Sequence, residues 1–423
     1  MRQAGKAMAS MGAAIKSLAA LALGLWACTA TNAATFHAKR GLNLDIWTTW
    51  PDESRWGERD AILPFPEWRR TLDAAGLEEL RSAGFDFVRM PVDPSPFLSP
   101  VSADLRPELI RSVVDSVQLV NGAGLKAIVD LHLFAAGSNR SIGMGEVMED
   151  AALFDRYLDV VRDIGRAIGR EDPAQVAFEL MNEPTQGCEG AEQRDWEERL
   201  LKLFAAARAS ATRLTLVLSG SCWGSAEGLA ALDPAMVPDD NVIWSFHSYA
   251  PFLLTHQGAT WTGDFIPHVT GLPYPPHAVP RAELEAAVDR VRETIRRDAP
   301  WSRRSGLLSY LDELLAEVDT KEKLDALMGQ PFETVAAWAS KNGVAASDIQ
   351  LGEFGMIRQE YGTETIMPAD QRAAYYRDMI ALADRHGFAW SMWGYGGAFG
   401  VVESFEGKRA EPDVLDMVRS LKK

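Results

Sequence analysis

The sequence contains little cysteine, with only three such residues in 423. Cys28 lies in a segment that we expect to be removed, so Cys188 and Cys222 remain in the folded protein. Because neither has a cysteine or histidine partner at the spacing of zinc ligands, the two make a poor zinc site. Each lies a few residues beyond a predicted strand, so they can meet if those strands are neighbours. We predict a disulfide between them in an oxidising compartment, with two free thiols as the alternative.

Positively charged residues are also few. The chain has 43 lysines and arginines against 59 aspartates and glutamates, so its formal net charge is −16. A surface this acidic repels the phosphates of nucleic acids and of anionic membranes, which makes both poor partners. A neutral substrate is compatible with it.

Long apolar runs are confined to the N-terminal segment, where residues 18–27 form a short apolar core. Basic residues precede this core and small residues follow it around Ala33 and Ala34, as in a secretory signal peptide. The basic residues are Arg2, Lys6 and Lys16. The core is too short to span a bilayer. Residues 1–34 are therefore predicted to be a signal peptide, and we expect a secreted or periplasmic protein with no membrane segment beyond it.

One short motif in this segment leaves an alternative open. Leu25, Trp26, Ala27 and Cys28 faintly resemble a lipoprotein cleavage box, although Trp26 fits that motif poorly. A lipoprotein is therefore the alternative to free secretion.

Eight short apolar runs recur along the rest of the chain, and amphipathic helical patterns separate most of them. Strands that alternate with helices pair in parallel through right-handed crossovers. Eight such units predict an α/β fold of the (β/α)8, or TIM, barrel type, with residues 35–423 as a single domain. The predicted strands cover residues 41–47, 85–92, 125–132, 176–183, 214–219, 242–249, 349–354 and 388–393. The predicted helices between them cover residues 67–83, 105–121, 151–168, 191–211 and 370–386.

One crossover is far longer than the others, because about a hundred residues separate the sixth and seventh predicted strands. Residues 251–280 are rich in proline, glycine, histidine and aromatic residues, which predicts a long loop at the carboxyl ends of the strands. Helical patterns follow, and Pro300 and Pro331 are expected to break them. We interpret residues 251–345 as one crossover enlarged by helices.

The fourth predicted strand ends at Asn182-Glu183-Pro184. Proline cannot donate to a sheet and favours extended geometry in the residue before it, so Glu183 is predicted to hold the last extended position. The carboxyl ends of barrel strands are where the chemistry of such folds lies. A carboxylate that merely caps a helix is the alternative for this residue alone. Other strand ends also carry polar or aromatic residues, namely Arg89, His132, His247, Tyr249, Glu353 and Trp393.

Two of these residues form a pair with a chemical use. Glu183 and Glu353 are predicted to face each other across the barrel mouth, and cleavage of an acetal needs one carboxylic acid and one carboxylate. Arg89 would hold one of them ionised, unless it forms a plain ion pair with Asp93. Tyr249 can donate its hydroxyl to the same carboxylate.

The remaining strand-end residues offer contacts to a substrate. Asn182 can hydrogen-bond a sugar hydroxyl, and Trp393 offers a flat face against which the C–H groups of a pyranose ring pack. His132 and His247 can orient the carboxylate or the substrate, unless they are histidines satisfied within the core.

A metal site is a further alternative, because His132 and His247 together with Asp130 and His256 could serve as ligands. No His-x-His motif follows the first predicted strand, and Asn-Glu-Pro is not a ligand pattern. We therefore predict neither a metal nor a cofactor.

The ordered set of strand-end residues resembles glycoside hydrolase family 5, the large cellulase and mannanase family on the (β/α)8 barrel. That family carries an arginine on strand two, a histidine after strand three, Asn-Glu on strand four, His-x-Tyr on strand six, a glutamate on strand seven and a tryptophan on strand eight. The matching residues run in this order from about Gly41 to the end, as Arg89, His132, Asn182-Glu183, His247-Ser248-Tyr249, Glu353 and Trp393.

The resemblance implies a retaining mechanism, with Glu183 as the acid/base and Glu353 as the nucleophile. It also implies a polysaccharide or oligosaccharide substrate, and we expect an endo-β-1,4-glucanase-like enzyme that is a monomer. A β-1,3-glucanase and a β-mannanase of the same family are the alternatives. The enlarged crossover departs from compact family members and leaves the choice of glycan open. A barrel that binds glycans without turnover is the alternative from another class.

Overall fold

The computed structural model describes residues 35–45, 51–63 and 72–421. The predicted signal peptide, the end of the first predicted strand and the start of the first predicted helix lie outside the described residues. From residue 35 onward the described chain groups into one compact unit. None of the helices in these described ranges is both long enough and apolar enough to span a bilayer.

Eight parallel strands close into a barrel, in which each strand pairs with the next along the chain and the last pairs with the first. The predicted (β/α)8 barrel is thus confirmed, and most strand boundaries agree within two residues. The strands are β1 (Arg40–Asn43), β2 (Phe87–Val92), β3 (Lys126–Leu131), β4 (Val176–Glu179), β5 (Thr215–Ser219), β6 (Val242–His247), β7 (Ile349–Phe354) and β8 (Ala389–Met392).

Helices surround the barrel, and their boundaries follow local sequence signals. The helix Ala151–Ile168, for example, begins where the Asp150 carboxylate accepts hydrogen bonds from the N–H groups of Ala152 and Leu153. The longer helices are Ala74–Ala83, Arg106–Gly122, Ala151–Ile168, Gly190–Arg208, Arg281–Asp298, Arg304–Ala316, Lys321–Asn342, Ala369–His386 and Asp413–Ser420. The short α-helices are Arg59–Ile62, Ser95–Leu98, Met144–Glu149, Ser221–Gly224, Ala226–Ala230 and Phe252–Thr255. The 3-10 turns are Glu53–Arg55, Pro100–Leu105, Pro234–Met236, Ile266–His268, Pro276–Ala278, Ala346–Asp348, Gly397–Phe399 and Phe405–Gly407.

The enlarged crossover between β6 and β7 contains three of the longer helices, as the sequence predicts. Pro300 lies between two of them, but the prediction that Pro331 breaks a helix is wrong. Lys321–Asn342 continues through Pro331, although proline removes one backbone hydrogen bond from a helix. Pro331 is buried in this helix together with Met328 and Phe332, so tertiary packing on both sides of the proline holds the helix together.

The barrel interior is built in two layers that follow from the two-residue alternation of strands. The lower layer is apolar and consists of Phe36, Phe87, Ile128, Ala177, Val217 and Ile243. Two residues further along the same five strands the inward positions are polar, namely Arg89, Asp130, Glu179, Ser219 and Ser245, and all are buried. The apolar layer thus closes one end of the barrel, and the polar layer lies towards the carboxyl ends of the strands.

We expect truncation of the residue that closes this apolar end to destabilise the barrel. Phe36 is 1% exposed and packs edge-on against Phe87, with ring centroids 6.4 Å apart. Phe36→Ala should lower the free energy of unfolding by about 3–5 kcal/mol, because it leaves a cavity in a closed layer. Guanidinium unfolding measures this, and Phe36→Leu should cost clearly less. A loss below about 1 kcal/mol for Phe36→Ala would contradict the described packing.

Candidate active site

The centre of the polar layer is the guanidinium of Arg89, which is fully buried. It donates two hydrogen bonds to Glu179, at 2.7 and 2.9 Å, and one to Glu353 at 2.6 Å. Asn43 accepts a further hydrogen bond at 2.9 Å, and a carboxylate oxygen of Asp130 lies 3.0 Å away. The proposed ion pair with nearby Asp93 is therefore wrong.

Asp93 follows the end of β2 and has partners of its own. Its carboxylate pairs with Arg140 and accepts hydrogen bonds from the N–H and hydroxyl groups of Ser95. Arg140 and Ser95 thus satisfy Asp93 without Arg89, whose side chain points into the barrel.

One cation faces three buried carboxyl groups in this layer, so the charges do not balance. Burial alone would lower the pKa of Arg89, but Asp130, Glu179 and Glu353 outweigh it and hold that pKa well above its ordinary range. Burial raises the pKa of Asp130 to about 7 despite the attraction of Arg89. Burial also raises the pKa of Glu179. The layer therefore tends to retain protons near neutral pH.

A chain of hydrogen-bonded side chains leads from this layer to the barrel mouth. The Nδ1 atom of His132 lies 2.8 Å from Asp130, and its Nε2 atom lies 3.1 Å from the side-chain nitrogen of Asn182. Burial lowers the pKa of His132 to about 4, so the ring is neutral and donates to Asp130 while accepting from Asn182. Arg89 donates to the Asn182 oxygen at 2.8 Å. Asn182 is therefore fixed in orientation on both sides of its amide.

Glu183 differs in conformation from its sequence prediction. β4 ends at Glu179, and Glu183 has φ 40°, so it is not extended and the prediction is wrong. Positive φ is strained in a residue with a side chain, and more so before a proline. Contacts on both sides of Glu183 hold it there, because Asn182 N–H donates to Leu131 and Trp223 N–H donates to the Pro184 carbonyl. The bend carries the Glu183 carboxyl over the barrel mouth.

His247 contacts this carboxyl from β6. Its Nδ1 atom lies 2.8 Å from Glu183 and 3.7 Å from Glu353, so it lies between the two. Burial raises the pKa of Glu183 to about 7, although 29% of its side chain is exposed. Burial lowers the pKa of His247 to about 4. Between about pH 4 and pH 7 the site thus holds a neutral histidine beside a carboxyl group that is largely protonated.

Glu353 has a different environment at the end of β7. One of its oxygens accepts from Arg89 and the other accepts from the Tyr249 hydroxyl at 2.9 Å. These two donors stabilise a negative charge on Glu353. The two carboxyl groups at the mouth therefore have unlike surroundings, since Glu183 contacts a neutral histidine and Glu353 accepts from a cation and a hydroxyl.

The two carboxyl groups also lie close together. Oxygen atoms of Glu183 and Glu353 and a ring nitrogen of His247 all lie within 4.8 Å of one another. An oxygen–oxygen distance of at most 4.8 Å is compatible with the roughly 5–5.5 Å between the carboxyl groups of a retaining glycosidase and lies well below the roughly 6.5–9.5 Å of an inverting one.

Trp393 forms a wall of the same site and is half-buried. Its ring stacks on His132, with centroids 5.5 Å apart and planes inclined by 22°. The Tyr376 hydroxyl donates to the Trp393 carbonyl at 2.8 Å, and the carboxyl of half-buried Asp45 accepts from Gly396 N–H in the following loop. The indole is thereby held at the end of β8. All eight predicted site residues lie in this one assembly at the carboxyl ends of the strands.

A disulfide closes the site beside Glu183. Cys188 and Cys222 are bonded, with Cα atoms 5.1 Å apart, which confirms the predicted pair. Cys222 N–H also donates to the Gln186 carbonyl at 2.8 Å. A Cβ atom on Gly224 would lie 3.7 Å from the ring of His247, so this segment lies directly against the site.

Among the described residues, Glu183, His247 and Glu353 form a group close enough to hold a metal ion. The donor set suits a cation poorly, however. Both oxygens of Glu353 already accept hydrogen bonds, and one of them comes from the positively charged Arg89. Glu183 and His247 share a hydrogen bond, so the group is better suited to sharing protons.

The other residues considered as metal ligands are engaged separately. Asp130 contacts Arg89 and His132 within the polar layer. His256 lies against the Thr255 hydroxyl at 3.0 Å, and its ring packs edge-on to Tyr249 at 4.9 Å. The four proposed ligands therefore do not form one site.

The geometry agrees with a comparison against known families. The model of the cellulases, glycosyl hydrolase family 5, matches residues 58–398. The chain belongs to this family. It is accordingly a glycoside hydrolase.

Curated relatives within the cellulase family are distant in sequence. Endoglucanase 3 of Fibrobacter succinogenes is 24% identical over 354 residues, which cover 79% of this chain and 47% of that protein. The chain thus spans about half the length of that relative. Endoglucanase C of Acetivibrio thermocellus is 22% identical over 358 residues, which cover 84% of this chain and 91% of that protein.

Solved structures share the fold of this family member. The cellulose synthase subunit Z of Clostridioides difficile has a TM-score of 0.62 at 20% identity and covers 90% of this chain and 99% of its own. The endoglucanase Cel5A of Thermotoga maritima has a TM-score of 0.59 at 18% identity, and the match covers 90% of this chain and 96% of that one. At these identities the likeness concerns the barrel fold.

Sequence reasoning missed two residues that the site depends on, Asn43 and Glu179. Each is the buried last residue of its strand, at an inward position of the two-residue alternation. A buried charge in such a run needs a partner, and the arginine at the same level of β2 is the natural one. That signal was available in the sequence.

We expect replacement of Arg89 to destabilise the whole protein. Arg89→Met leaves Asp130, Glu179 and Glu353 without their shared cation and should lower the free energy of unfolding by about 3–5 kcal/mol at neutral pH. Chemical denaturation measures this. The matched control is Arg281→Met, whose ion pair with Glu285 is exposed and screened by solvent and should contribute almost nothing to the free energy of unfolding. Equal effects of the two variants would contradict the central position of Arg89.

Proposed function

We propose that the protein is a secreted endo-β-1,4-glucanase that acts with retention of anomeric configuration. The observation that supports this most strongly is the pair of unlike carboxyl groups, Glu183 and Glu353, within 4.8 Å of each other. The curated relatives named endoglucanases support a β-glucan as the substrate.

In the first step Glu353 attacks the anomeric carbon, and the bond from that carbon to the leaving sugar oxygen breaks. Glu183 donates its proton to the leaving oxygen and becomes a carboxylate. The product is a glycosyl ester on Glu353. Glu183 is suited to this step because its pKa is raised to about 7, so that much of it is protonated below neutral pH.

In the second step Glu183 removes a proton from water, and the water oxygen attacks the anomeric carbon. The ester bond breaks, Glu353 returns as a carboxylate, and Glu183 is again protonated. Two displacements on opposite faces restore the original configuration. Arg89 and Tyr249 stabilise the Glu353 carboxylate at the start and at the end of the cycle.

The remaining residues of the site position the reacting groups and the sugar. His247 fixes the Glu183 carboxyl through its 2.8 Å contact. The amide nitrogen of Asn182 carries a second N–H besides the one that faces His132, and a sugar hydroxyl can accept it. Trp393 supplies the flat face for a pyranose ring.

Secretion is part of the proposal. It is supported by the signal-like residues 1–34 and by the disulfide Cys188–Cys222, since such bonds persist in oxidising compartments. The excess of acidic residues is compatible with a neutral polymer as the substrate.

We expect both carboxyl groups to be essential for turnover. Glu183→Gln and Glu353→Gln should each lower kcat on a soluble β-1,4-glucan by about a thousandfold or more, because each removes one half of the acid–nucleophile pair. Reducing-sugar release measures this, and Glu189→Gln, an exposed glutamate just beyond Glu183 in the chain, is the matched control.

Proton NMR of the first product tests the stereochemistry of the same reaction. A β-anomer released before mutarotation agrees with retention, and an α-anomer would refute it. Parallel assays on β-1,3-glucan and β-mannan decide the linkage, and a preference for either would refute the β-1,4 assignment.

The pH dependence should follow the protonation of Glu183. The first step needs its acid form, so kcat/KM should fall about tenfold per pH unit above a pKa near 7. A pH profile on a soluble glucan measures this. A fall in kcat/KM that begins near pH 4.5, the ordinary pKa of glutamate, would contradict the assignment of Glu183 as the buried acid.

A further inference from the structure

Three large aromatic side chains are exposed on the enlarged crossover between β6 and β7. Trp301 is 85% exposed, Trp261 is 56% exposed and Tyr310 is 47% exposed. Large aromatic side chains bury much apolar area when they pack, so exposed ones in one region indicate a binding surface. The proposed catalytic steps use none of these three residues.

The same region contains a cleft of about 360 Å³, within the range of small-ligand sites. Tyr310 and Ser302, the residue after Trp301, line it. The Tyr310 ring packs edge-on against buried Phe265, with centroids 4.9 Å apart. Tyr310, which is anchored against the core, therefore forms one aromatic wall of the cleft, and Trp301 is the chain neighbour of a residue that lines it.

An exposed ion pair supplies the polar side of this cleft. Arg303 contacts the Asp264 carboxylate at 2.7 and 2.8 Å, and both side chains are more than half exposed. This pair holds the loop of Trp261 against the turn of Trp301. Its remaining N–H groups and carboxylate lone pairs face solvent beside the aromatic rings.

This combination matches the chemistry of a pyranose ring. Sugar C–H faces pack against aromatic planes, and equatorial hydroxyl groups both donate and accept at an Arg–Asp pair. A polyanion is disfavoured, because the arginine is already neutralised and the protein carries a formal net charge of −16. A stable protein interface needs about 800 Å² per partner, far more than this small cleft offers.

The cleft is connected to the candidate active site by one loop, residues 251–280. At its start Thr255 donates to the carbonyl of Tyr249, whose hydroxyl contacts Glu353. Further along, Thr260 N–H donates to Glu360 in the loop after β7, which keeps the segment on the catalytic face of the barrel. The loop then reaches Asp264 and the cleft.

We propose that this cleft is a second glycan-binding site, which holds a β-glucan chain outside the catalytic centre. The proposal rests on the proposed function for the identity of the glycan. It gives the enlarged crossover a role, since a chain held there stays near the barrel mouth between cleavage events.

The test uses Trp301→Ala in a Glu353→Gln background, so that the polymer stays intact during the measurement. Affinity electrophoresis in gels containing hydroxyethylcellulose, a neutral soluble β-1,4-glucan, should show binding weakened about three- to tenfold, as expected for loss of one aromatic contact. Because Trp301 is 85% exposed, the thermal unfolding midpoint should stay unchanged. Trp301→Phe keeps a ring and should retain most of the affinity.

Two further controls separate this site from general effects. Tyr361→Ala removes a ring that is 78% exposed but belongs to the loop after β7 and has no chain neighbour that lines the cleft, so this variant should bind as the parent does. In the active protein, Trp301→Ala should lower activity on dilute polymer while leaving kcat and KM on an aryl β-cellobioside unchanged.

Unchanged polymer binding by Trp301→Ala would overturn the proposal. A self-association of the protein that Trp301→Ala abolishes, without any loss of glucan affinity, would overturn it in favour of an interface between copies. A wild-type protein that cleaves neither substrate, but whose glucan binding depends on Trp301, would refute the proposed activity and support the site.

Discussion

One buried guanidinium organises the catalytic end of this barrel. Arg89 contacts carboxyl groups from β3, β4 and β7 and the amides of Asn43 and Asn182, so β1, β3, β4 and β7 are all tied to β2. A lone arginine in such a place would be prohibitively costly to bury, and so would three carboxylates. Because the cost is shared, any change at one member alters the charge of the others. The position of Glu353 and the stability of the barrel therefore depend on the same contacts.

Much of the fold and of the candidate site could be predicted from the sequence, for a physical reason. Apolar runs that alternate with helical patterns imply a parallel barrel, and polar residues at the ends of such runs must then converge at one rim. Arg89, His132, Glu353 and Trp393 were found in this way, and the fold confirmed that they share a rim. The disulfide followed from the same logic, because β4 and β5 are neighbours.

The parts that sequence reasoning missed depend on tertiary contacts. The rule for residues before proline predicts an extended Glu183, but neighbouring segments impose φ 40°. Likewise, a local rule predicts a helix break at Pro331, but burial overrides it. In the sequence Glu179 belongs to the apolar pattern of a strand. Only its level in the barrel shows that it faces Arg89. For Glu183 and Pro331 a short-range preference of about 1–3 kcal/mol is smaller than the packing that opposes it.

The bond between Cys188 and Cys222 connects the segment that follows Glu183 to the turn that lies against His247. Both segments lie on the rim, outside the closed hydrogen-bond ladder of the strands. The barrel is held by burial and by backbone pairing, which do not respond to electron donors, whereas this connection does. The rim beside the carboxyl group of Glu183 is thus sensitive to the reduction potential of its surroundings, while the scaffold beneath it is not.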